Sequence, residues 1–312
     1  MGRAAVWTVA GAAFAAAALL TLLGVGDDPA ALPNWQALVL GLVQGATELL
    51  PISSSGHLIL VPWLGDWEYL KEHDEFNQTF DVALHLGTLV AVVAYFRDDI
   101  VDLARAFVRS VARRQIETPD ERIAWAVTVA TIPAAVVGGV GESLIAEHLG
   151  EPWQIAIFLA LFGVVLWIAD RRPQRREMGD LGLRGAFAIG CAQALALMPG
   201  VSRSGITISA ARFLGLTRDQ AARLSFLLLA PIVLGAVLLK GVTDVLLGEL
   251  PAGWEGPFLV GTLAAAGSGL FAIWALLGYV RRHDYSVFVV YRLIAAAAVM
   301  LLIASGAREA TF

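Results

Sequence analysis

Seven apolar runs recur along the chain, at approximately 4–23, 80–96, 123–141, 153–169, 223–240, 258–280 and 286–304. Each reaches or approaches the roughly 20 helical residues needed to cross a hydrocarbon core of about 30 Å. A backbone in lipid must satisfy its own polar groups, so runs of this length fold as helices. The whole chain fits that reading, being 58% hydrophobic and only 16% charged over 312 residues, well away from a soluble domain. With a net charge of −5 and no long basic block, nucleic acid is excluded as a partner. The single cysteine, Cys191, has no intrachain partner for a disulfide and is expected to pack among apolar neighbours.

Charge sets the orientation. Arg97, Arg105, Arg109, Arg113, Arg114 and Arg122 share one connection, Arg171, Arg172, Arg175, Arg176 and Arg184 a second, and Arg281 and Arg282 a third. By the positive-inside rule these are cytoplasmic loops. The acidic connections face outward: Asp66, Glu68, Glu72, Asp74 and Glu75, then Glu142, Glu147 and Glu151, then Asp244, Glu249 and Glu255.

Two more apolar stretches, 35–63 and 185–212, are broken by polar sequence at Pro51-Ile-Ser-Ser-Ser-Gly56 and Pro199-Gly-Val-Ser-Arg-Ser-Gly205. A crossing at 185–212 would put the basic loop 170–184 and the pair Arg218 and Arg223 in opposite compartments. The stretch is therefore expected to enter and leave on one side as a re-entrant hairpin. Charge parity leaves 35–63 open, and an internal repeat argues that it does not cross either. Residues 41–60 align without a gap onto 190–209, pairing Gly41 with Gly190, Gln44 with Gln193, Ser53 with Ser202, Ser55 with Ser204 and Gly56 with Gly205.

The expected fold is thus an all-α polytopic membrane protein built as an inverted repeat. Each half, about 35–170 and 184–304, is a re-entrant helical hairpin followed by three transmembrane helices, and broken helices of such repeats build midplane sites. Residues 1–34 form an N-terminal extension with one extra helix, ahead of a single membrane domain at 35–312. Gly24-Val25-Gly26 has the small residues of a signal-peptidase site, but the apolar run exceeds the usual signal length, favouring an uncleaved anchor.

The repeat also concentrates the chemistry. Glu48 lies in a membrane-depth segment, where a carboxylate needs a partner or water. Gln44 is one turn earlier on the same helical face, so the pair is suited to hold a cation, although an interhelical hydrogen bond would serve Gln44 as well. Ser53, Ser54 and Ser55 put hydroxyls and backbone N–H groups where a helix begins, a natural anion site. Simple N-capping by Ser53 or Ser54 accounts for one serine and leaves two, and His57, unexplained. His57, three residues beyond Ser54, is expected to face the same point and act as acid or base. Arg203 is the repeat counterpart of Ser54, so an approximate two-fold axis sets a phosphate-binding guanidinium opposite a nucleophile, or pairs it with Glu48. Ser202, Ser204 and Thr207 add hydroxyls around it, each of which is also suited to capping a helix. Asp81 and His85, one turn apart near the outer end of a crossing, are weaker candidates for substrate contact.

At Gln44-Gly-Ala-Thr-Glu48-Leu-Leu-Pro-Ile-Ser-Ser-Ser-Gly-His57 and Pro199-Gly-Val-Ser-Arg-Ser-Gly-Ile-Thr207 the chain resembles the undecaprenyl-diphosphate phosphatases linked to bacitracin resistance. The similarity runs from about residue 35 to 304. It implies removal of the terminal phosphate from a long-chain isoprenoid diphosphate in the bacterial plasma membrane, recycling the carrier lipid for cell-wall synthesis. It further implies a site open to the outer face and assistance by a divalent cation, Mg2+ or Ca2+, at Glu48 with Gln44. By position, Glu48, Ser54, His57 and Arg203 match the essential residues of that family, and Gln44 stands where a second acid is common. The resemblance leaves Ser54 or His57 as nucleophile, with Ser54 preferred. A homodimer is compatible with such a chain.

Competing readings fare worse. The phosphatidic-acid-phosphatase superfamily needs a His six residues after its Ser-Arg, and Ser209 stands there. A transporter or flippase of the carrier lipid would use the same inverted repeats but has no need of an aligned nucleophile. A structural subunit leaves the intramembrane Glu48 and Arg203 without a purpose.

Overall fold

The computed structural model describes residues 2–26, 31–67, 69–70, 73–240 and 253–311. Glu68, Glu72, Asp244 and Glu249 of the acidic connections lie outside the described residues. The described chain is helical: α1 Arg3–Leu22, α2 Asn34–Leu49, α3 Ser54–Gly65, α4 Asp74–Tyr95, α5 Arg97–Arg113, α6 Pro119–His148, α7 Pro152–Asp170, α8 Leu183–Ala194, α9 Arg203–Phe213, α10 Arg218–Lys240, α11 Glu255–Val280 and α12 Ser286–Ala304. Seven of these, α1, α4, α6, α7, α10, α11 and α12, are long and apolar enough to cross a membrane, and they coincide with the seven apolar runs. The protein is a multi-pass membrane protein.

The basic segment 97–122, expected as a loop, contains α5. Asp98 and Asp99 in its first turn and Arg113 in its last complement the helix dipole. Its few apolar contacts dock it on α6, where the Phe107 ring meets Trp125 in a tilted contact at 5.0 Å and Ser110 Oγ accepts from Trp125 Nε1 at 2.9 Å. The connection expected at Glu142 and Glu147 is likewise helical, because α6 continues to His148.

At the centre, α11 is gripped by α2, α4 and α1. Small residues allow the approach: a methyl group added at Gly41, Gly45 or Gly87 would overlap Gly261 O, Ser268 Oγ or Thr262 O respectively. On the other side, α8 packs against α6, and a methyl group on Gly190 would overlap Ala130 O. That contact turns Cys191 outward, so the cysteine is exposed and not the packing residue expected.

The breaks after α2 and α8 follow from proline. Leu50 precedes Pro51 and takes ψ 146°, and Met198 precedes Pro199 and takes ψ 122°, both extended, as the pyrrolidine ring demands. Each chain then restarts through a serine at positive φ, Ser53 at 77° and Ser202 at 75°. Both hydroxyls cap the new helix, Ser53 accepting from Gly56 N and Ser202 from Gly205 N. The repeat seen in sequence is thus a repeat of local structure, and α3 folds back against α2 as α9 does against α8.

Candidate active site

The two breaks meet. Gly200 N donates to Ser53 Oγ at 3.1 Å, and Ser204 Oγ donates to Leu50 O at 2.9 Å, so each tip is tied to the other. This brings the last turn of α2 opposite the first turn of α9. Arg203 Nε lies 3.0 Å from Glu48 Oε1, with the two side chains 10% and 5% exposed. Ser54, the first residue of α3, donates its hydroxyl to Glu48 Oε2 in a short hydrogen bond. Glu48 is therefore a buried carboxylate with a cation on one oxygen and a hydroxyl on the other, which is how a membrane-depth charge is made tolerable.

Free donors surround this trio. Arg203 Nη1 donates to Ser225 O at 2.7 Å, while Nη2 has no partner among the described residues. The N–H groups of Ser54 and Ser55 open α3 and those of Arg203 and Ser204 open α9, and none of the four has an intrahelical acceptor. Two helix N-termini and an unpaired guanidinium N–H at one place suit an anion with several oxygens, such as a phosphate. Ser55 is half-buried and makes no hydrogen bond among the described residues, leaving its hydroxyl available. The other expected hydroxyls are engaged. Ser53 and Ser202 are caps, Ser202 and Ser204 are 3.2 Å apart, and Thr207 Oγ1 donates to Arg203 O at 2.7 Å and lies 2.8 Å from Ser225 Oγ.

His57 departs from expectation. Its Nδ1 is 2.6 Å from Ser53 O and its Nε2 is 2.6 Å from Tyr291 Oη, with the two rings stacked at 5.7 Å. A carbonyl only accepts, so Nδ1 carries the proton and Nε2 accepts from the tyrosine. No hydrogen bond joins His57 to Ser54. Ser54 turns back toward α2, while His57 lies one turn after Ser53 and falls on that residue's carbonyl.

Three contributors, Tyr291, Ser225 and Arg292, lie outside the expected set, and a weaker candidate proves close. His85, a weak candidate from sequence, reaches within 3.6 Å of Glu48 Oε2, its Nδ1 anchored 2.7 Å from Asp81 O. Tyr291 holds His57, and Ser225 holds both Arg203 and Thr207. Arg292 is the most consequential. It is fully buried on α12, and it donates to Phe158 O at 3.2 Å, Leu159 O at 2.9 Å, Pro51 O at 3.3 Å, Gly200 O at 2.9 Å and Val201 O at 3.1 Å. One guanidinium thus clamps both hairpin tips to α7 without a carboxylate partner among the described residues. Its signal in the sequence was a charge inside the 286–304 run.

The residues present fit a hard divalent cation. Gln44 is fully buried one turn from Glu48, and both its amide oxygen and its nitrogen lack a hydrogen-bond partner. With the Glu48 carboxylate and Ser54 hydroxyl it would offer a cation only oxygen donors, the chemistry that Mg2+ or Ca2+ takes. Among the described residues no group of three or more His, Cys, Asp or Glu could hold a metal alone. A cation here would share its coordination with substrate phosphates, as Mg2+ commonly does.

Fold and site together define a multi-pass helical membrane protein with polar donors gathered where two broken helices meet. Residues 37–298 match the family described as bacitracin resistance protein BacA, and the chain belongs to that family. It is 47% identical over 283 residues to an undecaprenyl-diphosphatase of Thermomicrobium roseum, covering 88% of this chain and 99% of that protein. It is 47% identical to one of Pelobacter propionicus, over 86% of this chain and 97% of that protein, and 48% identical to one of Geobacter sulfurreducens, over 85% and 96%. The helix α1 precedes the matched region.

Proposed function

We propose that this chain hydrolyses undecaprenyl diphosphate to undecaprenyl phosphate and inorganic phosphate, recycling the lipid carrier for cell-wall synthesis and conferring bacitracin resistance. The observation that carries the chemistry is the hydrogen bond from Ser54 to Glu48, set beside Arg203 at the start of two helices. Ser54 Oγ attacks the terminal phosphorus, and its proton passes to Glu48 Oε2. Arg203 and the N–H groups opening α3 and α9 hold the non-bridging oxygens as charge redistributes. The bond to the bridging oxygen breaks, and undecaprenyl phosphate leaves with that oxygen. Water then attacks the phosphoserine, and Glu48 returns its proton to the departing Ser54 oxygen. His57 acts as acid or base only after release from Tyr291. A divalent cation held by Glu48 and the Gln44 carbonyl would supply charge neutralisation for the diphosphate.

The same reading takes α2–α3 and α8–α9 as re-entrant hairpins of an inverted repeat. Supporting it, α2 packs on α11 as α8 packs on α6, while α4 meets α10 and α7 meets α12, the pairing expected of a two-fold relation. The arginine-rich loops then lie in the cytoplasm of a bacterial plasma membrane, and the site opens outward. Phosphate release from undecaprenyl diphosphate by the purified protein, with and without a chelator, tests the activity. Binding without release would make the chain a carrier of the lipid instead.

A further inference from the structure

A polar cavity of about 390 Å3 opens at the arginine-rich end of the bundle, lined by Trp167, Asp170, Arg171, Arg172, Arg218 and Asp284 among others. It is separate from the hairpin tips, since α9 runs 11 residues from Arg203 to Phe213, about 15 Å of helical rise. Its floor is a saturated carboxylate. Asp170 Oδ1 accepts from Arg218 Nε at 2.7 Å and from the buried Arg212 Nε at 3.4 Å, and Oδ2 accepts from Arg218 Nη2 at 3.0 Å and Tyr285 N at 3.0 Å. Two guanidiniums face Asp170, and Asp284 at the rim offsets the second, so the positive charge of the cavity comes from Arg171 and Arg172.

The rim adds more. The Arg171 guanidinium carbon lies 3.4 Å from the centre of the Trp167 ring, and that of Arg172 lies 5.7 Å from the Phe213 ring. Neither guanidinium has a hydrogen bond or ion pair with any described residue, so aromatic faces hold them while their N–H forks stay free. Asp284, the carboxylate at the rim, is occupied by Ser286 N at 3.1 Å. Trp167 and Phe213 are themselves exposed, at 40% and 43%, beside the end of an apolar helix. Exposed aromatics there mark the depth of lipid headgroups, and basic pockets between helices at that depth take anionic ones.

We propose that this cavity binds the phosphate headgroup of an anionic membrane lipid, with Arg171 and Arg172 as its ligands, as a site separate from the hairpin tips. The strut formed by Asp170, Arg212 and Arg218 needs neither residue, so both can be changed without disturbing the fold.

The test uses the purified full chain, titrated with dioctanoyl phosphatidylglycerol, dioctanoyl phosphatidylcholine and inorganic phosphate. Two arginines near a membrane surface correspond to a preference of roughly 30-fold for the anionic lipid over the zwitterionic one. The double variant Arg171→Gln with Arg172→Gln is expected to lose that preference while keeping the thermal midpoint and the phosphate-release rate. Arg203→Gln, which disrupts the hairpin tips, is expected to retain the preference. Equal binding of phosphatidylglycerol by the wild type and the double variant, or loss of the preference in Arg203→Gln, overturns the proposal. If inorganic phosphate alone binds as tightly as phosphatidylglycerol and the double variant loses it, the ligand is the free ion and the lipid assignment is wrong.

Discussion

Glu48 and Arg203, 155 residues apart in the chain, meet with Nε 3.0 Å from Oε1 because two proline-broken helices end against each other. The pair leaves one guanidinium nitrogen, Nη2, without a partner. A salt bridge serving only stability would have little reason to leave a buried donor unmet, since that costs about 1–3 kcal/mol. The proposed mechanism puts a substrate oxygen at this free donor.

Replacing Arg203 by Lys tests that geometry. A point charge keeps the attraction to Glu48 but lacks the planar fork, so turnover per folded molecule is expected to fall about 100-fold or more. Near-normal turnover would show that charge alone suffices.

Arg292 is expected to matter through architecture. Arg292→Met keeps the volume but strips donors from Pro51 O, Gly200 O and Val201 O, at a cost of about 3 kcal/mol or more. The thermal midpoint should drop by several degrees, and the remaining folded protein should turn over slowly because the tips are no longer held in register. A midpoint equal to wild type would refute the clamp.

Tyr291 and His57 are separable. Tyr291→Phe removes the hydrogen bond to Nε2 and frees the imidazole, so stability should fall by about 1 kcal/mol and turnover should stay within about threefold of wild type. His57→Ala is expected to lose about 100-fold or more. Comparable losses in the two variants would place the tyrosine hydroxyl in the reaction itself.

The topology has its own test. Cysteines placed in the 97–122 and 170–184 segments should be blocked by thiol reagents only from the cytoplasm, and those in 142–152 only from outside. The segments flanking 185–212 must label from one side. Labelling from opposite sides would mean that α8 and α9 cross the bilayer as a unit, and the inverted repeat would fail.

The apolar runs made the seven long helices legible, because hydropathy and length alone dictate a spanning helix. The repeat made the meeting of Glu48, Ser54 and Arg203 legible, because it marks two equivalent breaks in the chain, and those breaks meet. What escaped depended on direction and on distant contacts. The α5 helix was hidden by its charges, which read as a loop when apolar content is the signal. His57 was assigned toward Ser54 from spacing, yet its ring is set by the Ser53 carbonyl and by Tyr291, 234 residues away. Arg292 sits inside an apolar run whose pattern does not reveal its partners, the backbone carbonyls that make its fully buried charge tolerable.

The central claim is that Ser54 attacks the phosphorus and Glu48 takes its proton. It is tested most directly by measuring phosphate release and lipid binding together in Ser54→Ala, normalised to folded protein. The expected result is release reduced to background with undecaprenyl-diphosphate binding largely intact, since Arg203 and the helix N-termini remain. A serine that only shaped the helix start would instead cost about 1 kcal/mol of stability and leave turnover nearly unchanged. Substantial release by folded Ser54→Ala would contradict the account and transfer the attack to His57 or to water.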